Sequence, residues 1–522
     1  MSNRKRDSAG NPRVPAHAVV IGAGAAGLAA ALRLIAAGVA VTVVEKADQP
    51  GGKMRRVDAG GAPVDAGPTV FTMREVFEEI FAEAGTELTH HVGLRHADVL
   101  ARHRWDAGGE LDLFAEHDKS VDAIASFAGP AEAKRYGQFC RDAQHIFDTL
   151  ERPFLRQPYA TPTSLMRATG TRDLMGIKPF SRLWDALGKY FHDERLRQLF
   201  GRYATYCGSS PYRAPATLML VAHVEQSGVW LVDGGMHRLA AAMAELAQAR
   251  GAAFRYRTKV DEILVEKGRA AGVRLDTGET LAADYVVTNS DAAALSSGKL
   301  GRGASRAVPA TPRDERSLSA LTFTTQAYCA GMPLTRHNVF FCRDYPAEFT
   351  DIFKHRRLPR EPTVYICAQD RDDSGPSDGA SAERLLFIIN APPDGDIRAF
   401  EQAEIETCKE SVFALLDRCG LDCRPEPTTF KATTPADFDR MFPGTGGALY
   451  GRASHGWRAS FQRPGVKTRL PGLYLASGSA HPGPGVPMAA LSGRLAAHAL
   501  LRDLDSRARS RTTAMRGGTS TR

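Results

Sequence analysis

The 522-residue sequence lacks an apolar signal segment at its start and lacks any paired cysteine motif. The polar N-terminus is unlike a signal peptide, so we expect no secretion signal. The eight cysteines are scattered and include no C-x-x-C pair, which argues against both a metal site and a disulfide framework. A reducing compartment fits this cysteine pattern.

Basic charge is also scarce outside the two ends of the chain. Of the net charge of +8, residues 1–17 carry +3 and residues 501–522 carry +4, and we predict that both segments are disordered basic tails. The nearly neutral remainder argues against a nucleic-acid groove, which needs basic charge on the folded surface. The tails are suited to a weak attraction to anionic lipid.

A glycine-rich segment near the N-terminus organises the chain. Residues 18–21 read as a buried strand, and Gly22, Gly24 and Gly27 follow it as G-x-G-x-x-G. A helix over 25–37 and a second strand over 39–44 complete a β-α-β unit, and Glu45 ends that strand. The glycines allow the tight turn, the approach of a pyrophosphate and close helix packing, while the acid suits a ribose hydroxyl. The pattern predicts a dinucleotide site.

Two other interpretations of this segment are a transmembrane helix and a chance motif. Residues 18–44 contain one charge, Arg33, and are long enough to cross a membrane. A chance G-x-G-x-x-G match is the second alternative. The strand before the glycines, the helix after them and the acid about 20 residues on favour dinucleotide binding over both.

Two further glycine-rich segments follow the fingerprint, and a third lies near the C-terminus. Gly51 and Gly52 precede cationic residues, and a Gly-Pro turn lies at residues 67–69. Residues 472–493 read as a strand, a Gly/Pro-rich loop and a helix, whose N-terminus stabilises negative charge. With one nucleotide fingerprint in the chain, this second strand–loop–helix favours tightly held FAD over transient NAD.

At this point the chain resembles a known family. The segments GAGAAGLAAALRLIAAG, VVEK, PGGKM, VDAGPTV and GLYLASGSAHPGPGVPMA are similar to those of bacterial carotenoid desaturases, which are flavoproteins on the amine-oxidase fold close to phytoene desaturase. VDAGPTVFTMREVF and YATYCGSSPYRAPATLMLVAHVEQ most resemble 1-hydroxycarotenoid 3,4-desaturases, also called methoxyneurosporene dehydrogenases. The resemblance spans about residues 18 to 500.

The resemblance implies a set of FAD-binding positions but no catalytic acid or base. Lys53 and Ser479 depart from the broader amine-oxidase pattern, which places amine oxidation in more doubt than FAD binding. The positions implied to bind FAD are Gly22, Gly24, Gly27, Glu45, Gly51, Gly52, Gly67, Pro68, Thr69, Gly478, Gly485, Val486 and Met488.

The fold class implied is α/β, with a Rossmann-type FAD-binding domain interleaved with a mixed sheet-and-helix domain that meets substrate and membrane. We assign residues 18–72, 226–300 and 464–500 to the FAD-binding domain. Residues 73–225 and 301–463 are assigned to the other domain. Within it, residues 119–200 read as mostly helical, and an apolar stripe over 177–191 is either a membrane-surface helix or internal helix packing.

The function implied is introduction of the C-3,4 double bond into acyclic 1-hydroxy or 1-methoxy carotenoids, which are long and apolar. Phytoene desaturation, carotenoid isomerisation, amine oxidation and non-enzymatic prenyl-lipid binding are the alternatives. We expect a peripheral location on the cytoplasmic side of the membrane, without a spanning helix. The electron acceptor, oxygen or a quinone, stays open at this point.

Overall fold

The computed structural model describes residues 16–371 and 381–516. Most of the predicted N-terminal tail lies outside these residues, and the first strand begins at His17. Two large sheets organise the described chain, one parallel and one mostly antiparallel.

A five-stranded parallel sheet contains the N-terminal fingerprint. The strands before and after the glycines are buried and apolar, as expected for a sheet covered on both faces. Between them runs the helix Ala25–Ala36, so the predicted β-α-β unit is present. In spatial order the strands are Leu473–Leu475, Tyr285–Thr288, His17–Ile21, Ala40–Val44 and Ala253–Arg255.

An alanine-rich helix pair covers one face of the parallel sheet. The fingerprint helix packs on the C-terminal helix Val486–Arg516. A Cβ on Gly493 would lie 2.0 Å from the carbonyl oxygen of Ala26, so the two backbones approach too closely for any side chain there. This contact holds the last helix of the chain against the first.

The second large sheet has eight strands and forms the wall of the other half of the molecule. Its neighbouring strands pair antiparallel, except His337–Phe341 with Val99–Trp105. The main path runs through Leu421–Pro425, Ser319–Gly331, Glu383–Ala391, Val364–Ala368, His337–Phe341, Val99–Trp105 and Glu110–Phe114, with Lys431–Thr433 beside Ser319–Gly331.

Smaller sheets and helices fill the space around these two sheets. In the three-stranded small sheet, Arg269–Leu275 pairs with Val260–Glu266 on one side and Thr280–Ala282 on the other. The two-stranded small sheets pair Arg56–Ala59 with Ala62–Asp65, and Leu94–His96 with Trp230–Val232. The remaining α-helices are Arg74–Glu83, His117–Ala128, Pro130–Leu150, Pro162–Thr169, Thr171–Gly176, Leu183–Tyr190, Glu194–Gly201, Leu220–Gln226, Met236–Ala249, Ala292–Ser296, Tyr345–Thr350, Gln402–Arg418 and Pro435–Met441.

The apolar stripe predicted over residues 177–191 is not one surface helix. A turn at Ile177–Arg182 separates Thr171–Gly176 from Leu183–Tyr190. Ile177, Leu187 and Phe191 are buried in the core, while Phe180 is exposed. Internal packing therefore accounts for most of the stripe, and the membrane-surface helix is wrong.

Within the predicted C-terminal tail, residues 501–516 continue the last helix, which ends at Arg516, and residues 517–522 lie outside the described residues. Leu501 and Leu504 pack against the core around the parallel sheet, and Asp503 accepts hydrogen bonds from Lys467 and Tyr474. Leu501 and Leu504 therefore extend the buried face of the last helix beyond residue 500. Among residues 16–371 and 381–516, no helix has the length and apolarity needed to cross a bilayer.

Candidate functional site

A cavity of about 380 Å³ opens at the carboxyl ends of the parallel strands. Ligands of open parallel sheets bind at this edge. Ten of the predicted positions line the cavity: Gly22, Gly24, Glu45, Gly51, Gly52, Gly67, Pro68, Gly478, Gly485 and Val486. Segments far apart in the sequence thus meet around one space.

The first glycine turn is packed so tightly that side chains are excluded. Gly22 has φ +95° and donates its N–H to the carbonyl of Val44 at 2.8 Å. A Cβ on Gly27 would lie 2.1 Å from the carbonyl oxygen of Gly22, so Gly27 acts beneath the cavity without lining it. A Cβ on Gly24 would lie 2.6 Å from Oδ1 of Asn289. The bare backbone at the start of the helix therefore faces the cavity.

Glu45 is held rigidly at the end of the second strand. Its carboxylate accepts hydrogen bonds from the backbone N–H of Ala23 at 2.7 Å and of Ala47 at 2.9 Å. The side chain is buried and borders the cavity. This arrangement fixes a carboxylate beside the glycine turn, where a carboxylate can accept hydrogen bonds from ribose hydroxyls.

The double-glycine loop lies directly on the first turn. Gly51 donates its N–H to the carbonyl of Ala23 at 2.9 Å, and a Cβ on Gly52 would lie 3.3 Å from Cα of Gly24. A Cβ on Gly67 would lie 1.8 Å from the carbonyl oxygen of Lys53. Three backbone segments therefore pack without side chains between them, and they leave a smooth wall on the cavity side.

Lys53 adds a buried cation to this wall. Its Nζ donates to the carbonyl of Leu449 at 2.5 Å and lies 5.3 Å from the ring centroid of Phe442. Burial lowers the pKa of the Lys53 ammonium group, although Asp291 partly offsets this effect. The residue lines the cavity, so a positive charge is available to an anionic ligand there.

The C-terminal loop closes the opposite side. Gly478 and Gly485 line the cavity, and so does Val486, the first residue of the last helix. Nδ2 of Asn289 donates to the carbonyl of Ala476 at 2.7 Å, which joins this loop to the strand Tyr285–Thr288. Asn289 was not predicted as a site residue. Its position directly after a buried parallel strand is the sequence signal that could have found it.

A second cavity of about 560 Å³ adjoins the first and is lined mainly by apolar side chains. Besides Gly27, two predicted positions do not line the first cavity. These two, Thr69 and Met488, line the second cavity. Six residues border both cavities and define what we call the seam: Pro68, Ile388, Tyr450, Pro484, Gly485 and Val486. An apolar ligand in the second cavity therefore contacts the ligand of the first at the seam.

A few polar side chains interrupt the apolar wall of the second cavity. Arg202, Tyr206, Glu225 and Tyr365 line it. Burial raises the pKa of the Glu225 carboxyl group, and the hydrogen bond from Tyr203, the positive charge of Arg202 and the hydrogen bond from Tyr206 oppose this effect. None of these four was predicted, because helical and strand patterns give no sign that separate elements meet at one cavity. Among the described residues, no group of three or more His, Cys, Asp or Glu side chains is arranged to hold a metal ion.

The residues of the first cavity fit an FAD molecule. The glycine turn supplies bare backbone and a helix N-terminus for a pyrophosphate, and the Glu45 carboxylate lies beside it. The N-terminus of the long helix at Val486 faces the seam. The parallel sheet, the glycine turn and the second apolar cavity define the class: a dinucleotide-binding flavoprotein oxidoreductase.

Comparison with known proteins gives the family. The model of the family described as flavin containing amine oxidoreductase matches residues 25–501, and the chain belongs to that family. Hydroxyneurosporene desaturase of Rubrivivax gelatinosus is 55% identical over 509 residues, which cover 97% of this chain and 97% of that protein. Hydroxyneurosporene desaturase of Cereibacter sphaeroides is 46% identical over 94% of this chain and 98% of that protein.

A solved structure extends the likeness to the whole fold. An oxidoreductase from Methanosarcina mazei superposes with a TM-score of 0.59 at 17% identity, covering 92% of this chain and 99% of that one. This likeness concerns the fold alone. The predicted fold class, the membership of a flavoprotein oxidoreductase family and the FAD cofactor are confirmed.

Proposed function

We propose that this protein is an FAD-dependent desaturase that introduces the C-3,4 double bond into acyclic 1-hydroxy or 1-methoxy carotenoids. The seam between the two cavities is the observation that carries the proposal. A long polyene in the apolar cavity has its carbon chain directly against the FAD site. Relatives named hydroxyneurosporene desaturase at 55% and 46% identity support this substrate class.

Desaturation removes a hydride and a proton from adjacent carbons, and FAD when bound supplies the two-electron acceptor. The chain's own residues hold the reacting carbons and exclude water from them. Pro68, Ile388 and Val486 provide apolar contacts at the seam. The helix N-terminus that begins at Val486 stabilises negative charge developing beside it.

The predicted FAD-binding positions stay a proposal, and the geometry around them supports it. Gly22, Gly24, Gly51 and Gly52 would lie against the pyrophosphate, while Glu45 would accept hydrogen bonds from the ribose. Gly67, Pro68, Gly478 and Gly485 lie at or near the seam, where the flavin ring would meet the polyene.

We also propose that the protein sits peripherally on a membrane, from which an apolar substrate enters. Met166, Phe180 and Trp457 line the second cavity and are also exposed to solvent. The rings of Phe180 and Trp457 contact each other, with centroids 5.4 Å apart. Exposed cations, Arg167 and Arg458 among them, flank these apolar side chains. Exposed apolar side chains with cations beside them are suited to an anionic lipid surface.

The test of the reaction is to offer the purified flavoprotein hydroxylated neurosporene and phytoene separately. We expect the hydroxylated polyene to gain a double bond, so that its visible absorption moves to longer wavelength. Efficient conversion of phytoene alone would contradict the proposed substrate while leaving a carotenoid desaturase. Peroxide formed from an amine, with neither polyene changed, would favour amine oxidation.

A further inference from the structure

The wall of the second cavity contains a half-buried cation that the proposed reaction has not used. Arg202 lines this cavity together with Tyr206 and Glu225, in a wall otherwise made mostly of apolar side chains. All three residues come from the connected segments Arg202–Cys207 and Leu220–Gln226. When an apolar ligand fills the cavity, this half-buried guanidinium group needs a partner, because burying an unpaired charge is costly.

The described residues do not supply a full partner for Arg202. Within residues 16–371 and 381–516, no carboxylate oxygen comes within 4.0 Å of its nitrogen atoms. Its Nη1 donates to the hydroxyl of Tyr206 at 3.3 Å. The guanidinium also lies 5.4 Å from the ring centroids of Tyr206 and Tyr365. Since guanidinium carries five N–H donors, most of them are available to a ligand in the cavity.

Arg202 is close to the place where the chain would be oxidised. The ring beneath it, Tyr365, shares a hydrogen bond of 2.6 Å with Thr69, and Thr69 adjoins Pro68 of the seam. In a 1-oxygenated polyene, the oxygen lies only a few bonds from the C-3,4 pair. A donor that binds this oxygen must therefore sit near the seam, as Arg202 does.

We propose that Arg202, positioned by Tyr206 and Glu225, binds the terminal oxygen of the polyene and so selects and positions oxygenated substrates. This inference rests on the proposed function. Hydroxyl and methoxy oxygens both accept a hydrogen bond from guanidinium, so both classes bind. A hydrocarbon of the same skeleton covers the guanidinium donors without giving them a partner and is discriminated against.

Tyr206 and Tyr203 form a matched pair for testing this role. Both hydroxyl groups donate to the Glu225 carboxylate, Tyr206 at 3.4 Å. Tyr206 lines the cavity, whereas Tyr203 is buried behind it in the core. Tyr206 contacts Arg202 directly, whereas Tyr203 reaches it only through Glu225. If the cluster acts on the substrate, removing the Tyr206 hydroxyl therefore changes selectivity more than removing the Tyr203 hydroxyl.

The experiment measures equilibrium binding to the flavin-loaded protein in detergent micelles. The probes are the 3,4-desaturated 1-hydroxy polyene, which has already lost the reacting hydrogens, and the hydrocarbon with the same skeleton. Binding is followed by the shift in polyene absorption, and flavin content reports folding. We expect wild type to prefer the hydroxylated probe by at least about tenfold, Arg202→Met to lose that preference, and Arg202→Lys to keep part of it.

The two tyrosine variants complete the test. Tyr206→Phe is expected to reduce the preference strongly and Tyr203→Phe to reduce it less. A preference that survives Arg202→Met with flavin intact, or that falls equally in both tyrosine variants, overturns the inference. If Arg202→Met loses flavin, the contrast between Tyr206→Phe and Tyr203→Phe decides. Absence of turnover by wild type, with binding preference still dependent on Arg202, would instead contradict the proposed reaction.

Discussion

Glycine residues around the FAD cavity are required for two different physical reasons. At Gly24 a Cβ would meet Oδ1 of Asn289 at 2.6 Å, and Asn289 is held by its hydrogen bond to the carbonyl of Ala476, so a side chain at Gly24 must displace it. At Gly478 no protein atom would lie nearer to a Cβ than 3.8 Å, although the residue lines the cavity. The difference separates a glycine needed by the fold from one needed by the ligand.

Valine at these two positions distinguishes the two effects. We expect Gly24→Val to abolish flavin binding and to lower the thermal unfolding midpoint of the flavin-free protein. Gly478→Val should reduce flavin content while leaving that midpoint close to wild type, because its side chain enters space used by the cofactor. Absorption of the released flavin measures the flavin content, and thermal unfolding of the flavin-free proteins measures the midpoint. Full flavin content in Gly478→Val would remove this residue from the site.

Buried histidines make stability depend on pH at the residue scale. His103 donates from Nδ1 to the carbonyl of Leu111 at 3.1 Å, as a neutral imidazole can, and its ring is stacked near Phe341. Burial lowers the pKa of His103 to about 4. In the unfolded chain, this histidine takes up a proton below the ordinary histidine pKa of about 6.5. The stability that is present above pH 6.5 is therefore lost as the pH falls towards 4.

His103→Gln cannot titrate and should lose less stability on acidification. When the pH falls from neutral to about 5, we expect wild type to lose on the order of 2 kcal/mol more of its free energy of unfolding than His103→Gln loses. His90→Gln is the control, because His90 is exposed. Urea unfolding at several pH values gives the comparison, and parallel curves for wild type and His103→Gln would contradict it.

Local sequence signals explain which site residues were predictable. Gly22, Gly24 and Glu45 lie in one continuous β-α-β unit, so their spacing alone indicates their geometry. Arg202 and Tyr365 come from a helical turn and a sheet strand that are far apart in the chain. Their contact depends on tertiary packing, which no local pattern encodes.

At the scale of elements, tertiary packing also limits how well local sequence predicts where a helix begins. Thr72 and Glu75 have the spacing of a capping box, which predicts a side-chain cap. In the structure the helix Arg74–Glu83 begins after Met73, which has φ 49° and caps nothing with its side chain. Burial of Met73 and Phe71 in the core sets this geometry. Tertiary packing overrides the local signal here, as it does at the stripe over residues 177–191.

The C-terminal helix extends beyond the predicted boundary because its polar residues find partners. Asp503 accepts hydrogen bonds from Lys467 at 2.6 Å and Tyr474 at 2.5 Å. Asp503→Asn should lower the free energy of unfolding by about 1 kcal/mol, whereas Asp505→Asn should not, because Asp505 is exposed. Denaturant unfolding compares the two, and equal stabilities would show that this end of the helix contributes little.

At the scale of the whole molecule, the division of the chain into domains stays a prediction. The strands of the parallel sheet come from three separated parts of the sequence. Alternation and glycine patterns identified several of these strands, but their spatial order depends on which strands pair. The two adjoining cavities arise from that arrangement, so the seam was not visible in the sequence.

The exposed apolar residues at the mouth of the second cavity lead to a prediction for the whole molecule. Phe180 is 66% exposed and Met166 45% exposed, and both line the cavity. Ile397 is 56% exposed but does not line it, so it serves as a matched control. If the mouth faces lipid, a charge placed there must be desolvated on binding, whereas a charge at Ile397 stays in water.

We therefore expect Phe180→Glu and Met166→Glu to reduce pelleting with anionic liposomes, and Ile397→Glu to leave it unchanged. Flavin content should be retained in all three variants, because none of these residues lines the FAD cavity. Activity towards polyene dissolved in detergent should persist in the two mouth variants, while activity towards polyene in liposomes falls. Equal losses of pelleting in all three variants would mean that net charge controls membrane binding, and the mouth of the second cavity would then not be the membrane contact.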